Sequence, residues 1–176
     1  MDKAVTHSLL SNAGIACAKY LWFYRHNYPA GKEKIKIKIG ARLGYPVFVK
    51  PAASGSSVGV SKVAREEELD AAVEKAALDG EKILVEEAVA GQEVECAVLG
   101  NLSPEASAVV GEIAPSAEFY DYDDKYRSGK SQLYIPAHLD EAVAREVRET
   151  AVRAFRQLGC RGFARVDFFV RGGREV

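Results

Sequence analysis

Residues 44–59, GYPVFVKPAASGSSVG, constrain this chain more than any other segment. A short buried-strand pattern over 46–49 delivers Lys50 to a turn stopped by Pro51, and a Gly/Ser loop then leads into a second strand. Small residues let successive backbone N–H groups converge on an anion, and a lysine on rigid neighbouring structure supplies a full positive charge. At about 4 Å, with an effective dielectric near 20, such a charge pair is worth roughly 4 kcal/mol before desolvation. The arrangement suits phosphate. Without the lysine, a plain hairpin between two strands would be the better explanation of the loop.

A chain of 176 residues has room for one ordinary domain or two small lobes with a real core. With 48% hydrophobic and 28% charged residues, it lies far from the composition of disordered segments. Lys+Arg number 24 against 25 Asp+Glu, a net charge of −1, so there is no broad electrostatic footprint for DNA or RNA. An anion bound here is bound locally. Cys17, Cys96 and Cys160 are an odd, widely spaced set with no C-x-x-C pair, and read as reduced thiols of a cytoplasmic protein. Residues 1–20 lack a signal-peptide run, and no segment approaches the roughly 20 apolar residues that cross a bilayer.

Apolar spacing predicts helices over 3–13, 66–78 and 140–158, the last capped by Asp140 and ended by Gly159. Strands are expected over 20–24, 58–63, 83–85, 94–99 and 162–170, with 106–113 as the antiparallel partner of 94–99 across a turn at 100–104. In the run 32–43, Ile35, Ile37 and Ile39 alternate with lysines as a strand would, but its length and lysine content favour an exposed helix, after a loop over 26–31. Residues 114–135 are polar, Tyr-rich and irregular, and a loop of that length inside a compact domain is usually functional or disordered.

Several side chains could carry chemistry. Glu86 and Glu93 flank the connection in VEEAVAGQEVE and could accept hydrogen bonds from a ribose or an amino group, although taken by themselves they are better explained as solvated surface charge. Lys125 and Tyr126 lie in the acidic, aromatic FYDYDDKY, where the lysine is either a lid group closing over phosphate or a surface ion pair with Asp123 or Asp124. Arg165 and Asp167 share one face of a strand, an oxyanion-orienting cation beside a hard-oxygen ligand for Mg²⁺. A salt-bridge ladder would account for that pair too. If Gly172-Gly173 is a two-residue turn, Arg171 pairs with Arg174 and Val170 with Glu175, so the partner of Asp167 lies beyond Val176. That geometry predicts a chain truncated at its carboxyl end.

Taken in order, MDK at 1–3, GYPVFVKP, GSSVGVSKV, LVEEAVAGQEVECAVLG, FYDYDDKY, IPA at 135–137 and LGCRGFARVD at 158–167 resemble the D-alanine–D-alanine ligases of the ATP-grasp superfamily over nearly the whole chain. The pattern differs from a Walker-type loop, which needs G-x-x-x-x-G-K-[ST]. The resemblance implies an α+β ATP-grasp fold whose two lobes of antiparallel sheet enclose a nucleotide: an N-terminal helix, 1–19, packing on the larger lobe, a small lobe over 20–88, and a larger, incomplete lobe over 89–176. It implies ATP and Mg²⁺ (or Mn²⁺) as cofactors, D-alanine as substrate, neither nucleic acid nor membrane as partner, and a homodimer for the full-length protein.

By the same resemblance, Lys3 and Lys50 contact phosphate and Ser57 sits in the loop that closes over it, while Ser56 helps place the first D-alanine. Glu86, Glu87 and Val89 border the adenine and Glu93 holds the ribose hydroxyls. Lys125 is the lid lysine on the γ-phosphate, with Tyr126 beside the amino-acid site. Arg165 stabilises the reacting centre and Asp167 ligates magnesium. Glu87 stands where many relatives carry lysine, and both the N-terminal domain and the strand completing the magnesium site are missing from the pattern. The expected function is ATP-dependent joining of two D-amino acids through an acyl phosphate, for peptidoglycan synthesis. The alternatives are a D-alanine–D-serine ligase, another ATP-grasp carboxylate–amine ligase, or a non-catalytic nucleotide-binding remnant; Lys125-Tyr126 argues against the D-lactate type.

Overall fold

The computed structural model describes residues 1–114 and 131–176, an α+β arrangement built on two antiparallel sheets. Its contacts divide the chain into two compact units, Met1–Ser8 with Cys17–Val89, and Leu9–Ala16 with Ala90–Val176. Helix α1 (Lys3–Asn12) supplies residues to both.

In the first unit, strands β1 (Tyr20–Tyr24), β2 (Val47–Pro51), β3 (Ser61–Val63) and β4 (Lys82–Glu87) form a four-stranded sheet in the order β1-β4-β2-β3. Helices α2 (Tyr28–Arg42) and α3 (Leu69–Leu78) cover one face, where Ile39, Leu69, Val73 and Ala76 meet Val47, Val49, Ile83 and Val85. On the opposite face Leu84 packs with Ala4 and Ala52. Buried on both sides, β4 is a nearly continuous apolar run rather than an alternating one. In β2, Val47 and Val49 point to the helices, so period-two geometry sends Lys50 to the other face.

The helix expected over 32–43 begins earlier. A 3₁₀ turn over Arg25–Asn27 leads into α2 at Tyr28, and Pro29 occupies the first helical turn, where its missing N–H has no cost. The isoleucine alternation has no strand meaning: Ile39 is fully buried while Ile37 is 69% exposed. The return strand is also shorter than the expected 58–63, because the loop occupies the chain as far as Val60.

The second unit is centred on β5 (Gln92–Gly100). Along one edge β5 pairs with β9 (Gly162–Val170); along the other it pairs with β6 (Glu105–Ala106) and β7 (Gly111–Ala114), and β7 continues to β8 (Gln132–Tyr134). The single partner strand expected over 106–113 is therefore two short pieces. Helix α4 (Glu141–Gln157) lays Val143, Val147, Ala151 and Phe155 on Val94, Cys96 and Val98. Asp140 stands at its N-cap in extended conformation, but its side chain makes no capping bond.

The final turn differs from the expected two-residue hairpin. Arg171 pairs with Glu175 across a three-residue loop in which Gly172 and Gly173 have φ of 56° and 70°. No disulfide links the three cysteines. Among the described residues, no helix is long and apolar enough to cross a membrane.

Candidate functional site

Asp2 sets the position of Lys3. Its carboxylate accepts the backbone N–H groups of Ala4 (2.9 Å) and Val5 (3.2 Å), capping the exposed donors at the start of α1. Lys82, 3.0 Å from the same carboxylate, lies over the Trp22 ring at 4.1 Å. So anchored, Lys3 donates from its backbone to Ala52 O (2.9 Å), and its ammonium reaches Ala52 O (3.4 Å) and Ser54 O at the entrance to the Gly/Ser loop.

Lys50 reaches the same sheet face. In the β2–β4 register Phe48 is opposite Glu86 and Lys50 opposite Leu84, which makes Lys50 and Glu86 diagonal neighbours, and their side chains form an ion pair. Glu86 is 8% exposed. Burial works against its charge, but His7, 2.9 Å from Oε1, and Lys50 together hold its carboxyl below the usual range. Burial, and then the nearby Lys50 charge, lower the pKa of Lys3. The two lysines are thus close enough to repel each other.

In the adjoining loop Ser56 and Ser57 both adopt left-handed backbone, φ 51° and 57°, a conformation that costs an L-residue roughly 1–2 kcal/mol. Ser56 is exposed and Ser57 half-buried. Gly59 (φ 71°) closes the loop at a point where a Cβ would lie 2.9 Å from both Pro51 Cγ and an Asp79 carboxylate oxygen. At the end of β4, Glu87 accepts from Lys19 N at 2.7 Å, and Val89 is half-buried.

The second unit holds a separate constellation. Arg165 donates from Nε and one terminal nitrogen to the two oxygens of Asp167 (2.7 and 3.0 Å), and its other terminal nitrogen lies 3.0 Å from Glu95. The β5–β9 register places Glu95 opposite Asp167 and Glu93 opposite Phe169, so Glu93, Glu95, Arg165 and Asp167 share the face turned away from α4. Arg165 and Asp167 are each about half exposed, at 48%. Lys125 and Tyr126 lie outside the described residues.

The family model for the C-terminus of D-Ala–D-Ala ligases matches residues 9–176. The chain belongs to the D-alanine–D-alanine ligase family. Curated D-alanine–D-alanine ligases are similar to it throughout: that of Pelodictyon phaeoclathratiforme is 48% identical over 97% of this chain and 47% of its own length. That of Chlorobaculum tepidum is 49% identical over 98% of this chain and 47% of its own. Among solved structures, the VanG D-Ala:D-Ser ligase of Enterococcus faecalis matches with a TM-score of 0.83 at 41% identity, over 99% of this chain and 50% of that one. The D-alanine–D-alanine ligase of Coxiella burnetii gives 0.80 at 30% identity, over 100% and 45%. The chain thus spans about half the length of the curated relatives it matches, and its α+β fold is the ATP-grasp fold of those ligases.

Within this ligase-family chain, sequence reasoning missed His7 and Glu95. His7 lies four residues beyond Lys3 and so shares its face of α1, a signal available only once the helix is accepted. Glu95 follows Glu93 at the strand period, but its proximity to Arg165 depends on pairing with a strand some seventy residues away.

Proposed function

We propose that this chain is the nucleotide-binding and catalytic portion of an ATP-dependent D-alanine–D-alanine ligase of peptidoglycan precursor synthesis. The observation that carries the reading is the placement of Lys3, Lys50 and buried Glu86 on one sheet face beside the left-handed Ser56-Ser57 loop. Two ammonium groups that repel each other there are a ready receptor for polyphosphate. The two units would be the small and large lobes of the ligase.

In the reaction, the carboxylate of the first D-alanine attacks the γ-phosphorus of ATP, giving an acyl phosphate and ADP. The amine of the second D-alanine then attacks the activated carbonyl and phosphate leaves. Phosphoryl transfer asks the protein for positioning and charge neutralisation, which Lys3, Lys50 and the lid residue Lys125 supply, with the backbone and hydroxyl of Ser57 on the phosphates. Glu86, Glu87 and Val89 border the adenine, and Glu93 accepts from the ribose. Ser56 and Tyr126 place the first D-alanine. The guanidinium of Arg165, already oriented by Asp167 and Glu95, faces the oxyanion of the second step.

The donor set also fits the family's metal. Magnesium usually takes one or two carboxylates together with substrate phosphates and water. Asp167 offers a half-exposed carboxylate with Glu95 opposite it, while the described residues contain no closed group of three acidic, His or Cys ligands. Asp167 would hold Mg²⁺ or Mn²⁺, which when bound would further neutralise the transferring phosphoryl group.

The test joins this chain to the flanking segments of a relative and supplies ATP, Mg²⁺ and D-alanine. Phosphate release that requires D-alanine is expected. Nucleotide binding without such turnover would replace the reading with that of a non-catalytic remnant. Because one structural neighbour is a D-Ala:D-Ser ligase, D-serine should be offered as a competing acceptor in the same assay. The whole ligase is further proposed to work in the cytoplasm as a homodimer.

A further inference from the structure

The Lys50–Glu86 pair raises a question about charge. Glu86 is buried, with one oxygen toward Lys50 and the other toward His7. If Lys50 turns to a phosphate, the carboxylate loses much of its counter-charge in a place where an isolated charge is costly. Either Glu86 retains Lys50 and competes with the phosphate, or another cation remains beside it.

We propose that His7 is a positioning residue of the nucleotide site, a cationic partner that holds Glu86 ionised and in place while Lys50 engages phosphate. This rests on the nucleotide-binding reading above. The geometry supports it at several points. His7 Nε2 lies 2.9 Å from Glu86 Oε1, and the His7 side chain is only 18% exposed. Its ring is fixed against Tyr20, with centroids 4.8 Å apart, and Tyr20 is itself directly opposite Glu86 in the β1–β4 register. Because α1 also carries Lys3, the helix that delivers a phosphate-directed ammonium delivers the imidazole one turn later. The titratable groups around His7 are Cys17 and Tyr20 from the segment after α1 and its strand, and Glu86 from β4. Lys50 on β2 and Lys3 on α1 complete the network through Glu86. Burial disfavours charge on His7, but Cys17 and Glu86 outweigh it and raise its pKa to about 9, so the imidazolium is the form present at neutral pH.

A role of this kind separates from simple packing. With the 176-residue chain, ATP affinity is measured by calorimetry from pH 7 to pH 10 for the parent, His7→Gln and His7→Leu, and near-UV circular dichroism confirms folding of each. His7→Leu should weaken ATP binding about tenfold or more at pH 7, whereas His7→Gln, whose amide can donate a hydrogen bond to Glu86 without carrying charge, should recover at least part of the loss. The parent should also lose affinity as pH rises through about 9 by more than His7→Gln does. Parent-like affinity in folded His7→Leu would overturn the proposal, as would equal weakening in both variants with pH profiles parallel to the parent. If the parent itself binds no ATP, the nucleotide reading fails and takes this inference with it.

Discussion

Asp70 ties α2 to α3 beneath the sheet that carries Lys50, and its removal gives a sharp test of the packing. Its carboxylate accepts from Tyr28 Oη at 2.8 Å and pairs with Lys32 at 2.6 Å and Lys36 at 3.2 Å. Burial opposes ionisation, but these partners win and lower the Asp70 pKa from 3.8 to about 2. That fall corresponds to about 2 kcal/mol at roughly 1.4 kcal/mol per pH unit. Since 32% of the side chain is exposed, solvent screening reduces it to about 1 kcal/mol. Asp70→Asn keeps an acceptor for Tyr28 but strips the counter-charge from Lys36, itself only 9% exposed, a loss already contained in that figure because Lys36 is one of the groups that lower the Asp70 pKa. The expected loss at pH 7 is therefore about 1 kcal/mol. Because the folded-state pKa is depressed, the ionisation contribution is complete above about pH 4 and disappears as pH falls through about 2. Urea denaturation followed by Trp22 fluorescence reports on the first unit specifically, since Trp22 is the one tryptophan of the chain. The gap between parent and variant should stay constant from pH 7 to 5 and shrink clearly by pH 3. A gap under about 0.3 kcal/mol at pH 7, or one unchanged at pH 3, would refute the reasoning.

Further outcomes can be measured in parallel. Gly59→Ala combines a φ of 71° with a Cβ pressed to 2.9 Å from Pro51, and should cost about 2 kcal/mol or more in thermal denaturation, against about 1 kcal/mol for Gly14→Ala, which has open space around it. Phe155→Ala should destabilise the second unit by about 3–5 kcal/mol, read by hydrogen exchange of β5 amides, because Phe155 is only 1% exposed beneath that strand. Arg165→Ala should change stability by less than about 1 kcal/mol, since its ion pairs are half exposed, while abolishing D-alanine-dependent phosphate release in the flank-completed ligase. For His7, a folded-state pKa of about 9 above the usual 6.5 means that its contribution to stability is complete below about pH 6.5 and is lost as pH rises through 9. The corresponding alkaline slope in urea midpoints should be missing from His7→Gln.

How much of this was legible beforehand depended on whether the deciding contact was local. Lys50 could be read because a buried strand, a proline and a small-residue loop lie side by side in the chain, and the strand period alone puts Lys50 on the other face of the strand from Val49. Arg165 and Asp167 shared a face for the same reason. By contrast, the isoleucines of α2 left strand and helix both open until length and lysine content favoured the helix, because period-two spacing carries meaning only if all three face one core, and here Ile39 alone is fully buried while Lys36 leans on Asp70. The Gly172-Gly173 turn gained a third residue because the bonds that set its register come from Arg171 and Glu175, beyond the dipeptide.

The charge network shows the limit most clearly. Nothing about Glu86 in sequence distinguishes it from its neighbour Glu87, yet one is 8% exposed between His7 and Lys50 while the other turns toward Lys19. The difference arises because alternate residues of β4 face opposite sides of the sheet, and only the Glu86 side has α1 laid against it. A buried carboxylate becomes a functional candidate only when its cations are known, and those arrive from α1 and β2, elements separated from it by more than thirty residues. Chemistry here is therefore written in pairs across the sheet: the lysine could be found alone, but its dependence on Glu86, and through Glu86 on His7, exists only in the folded register.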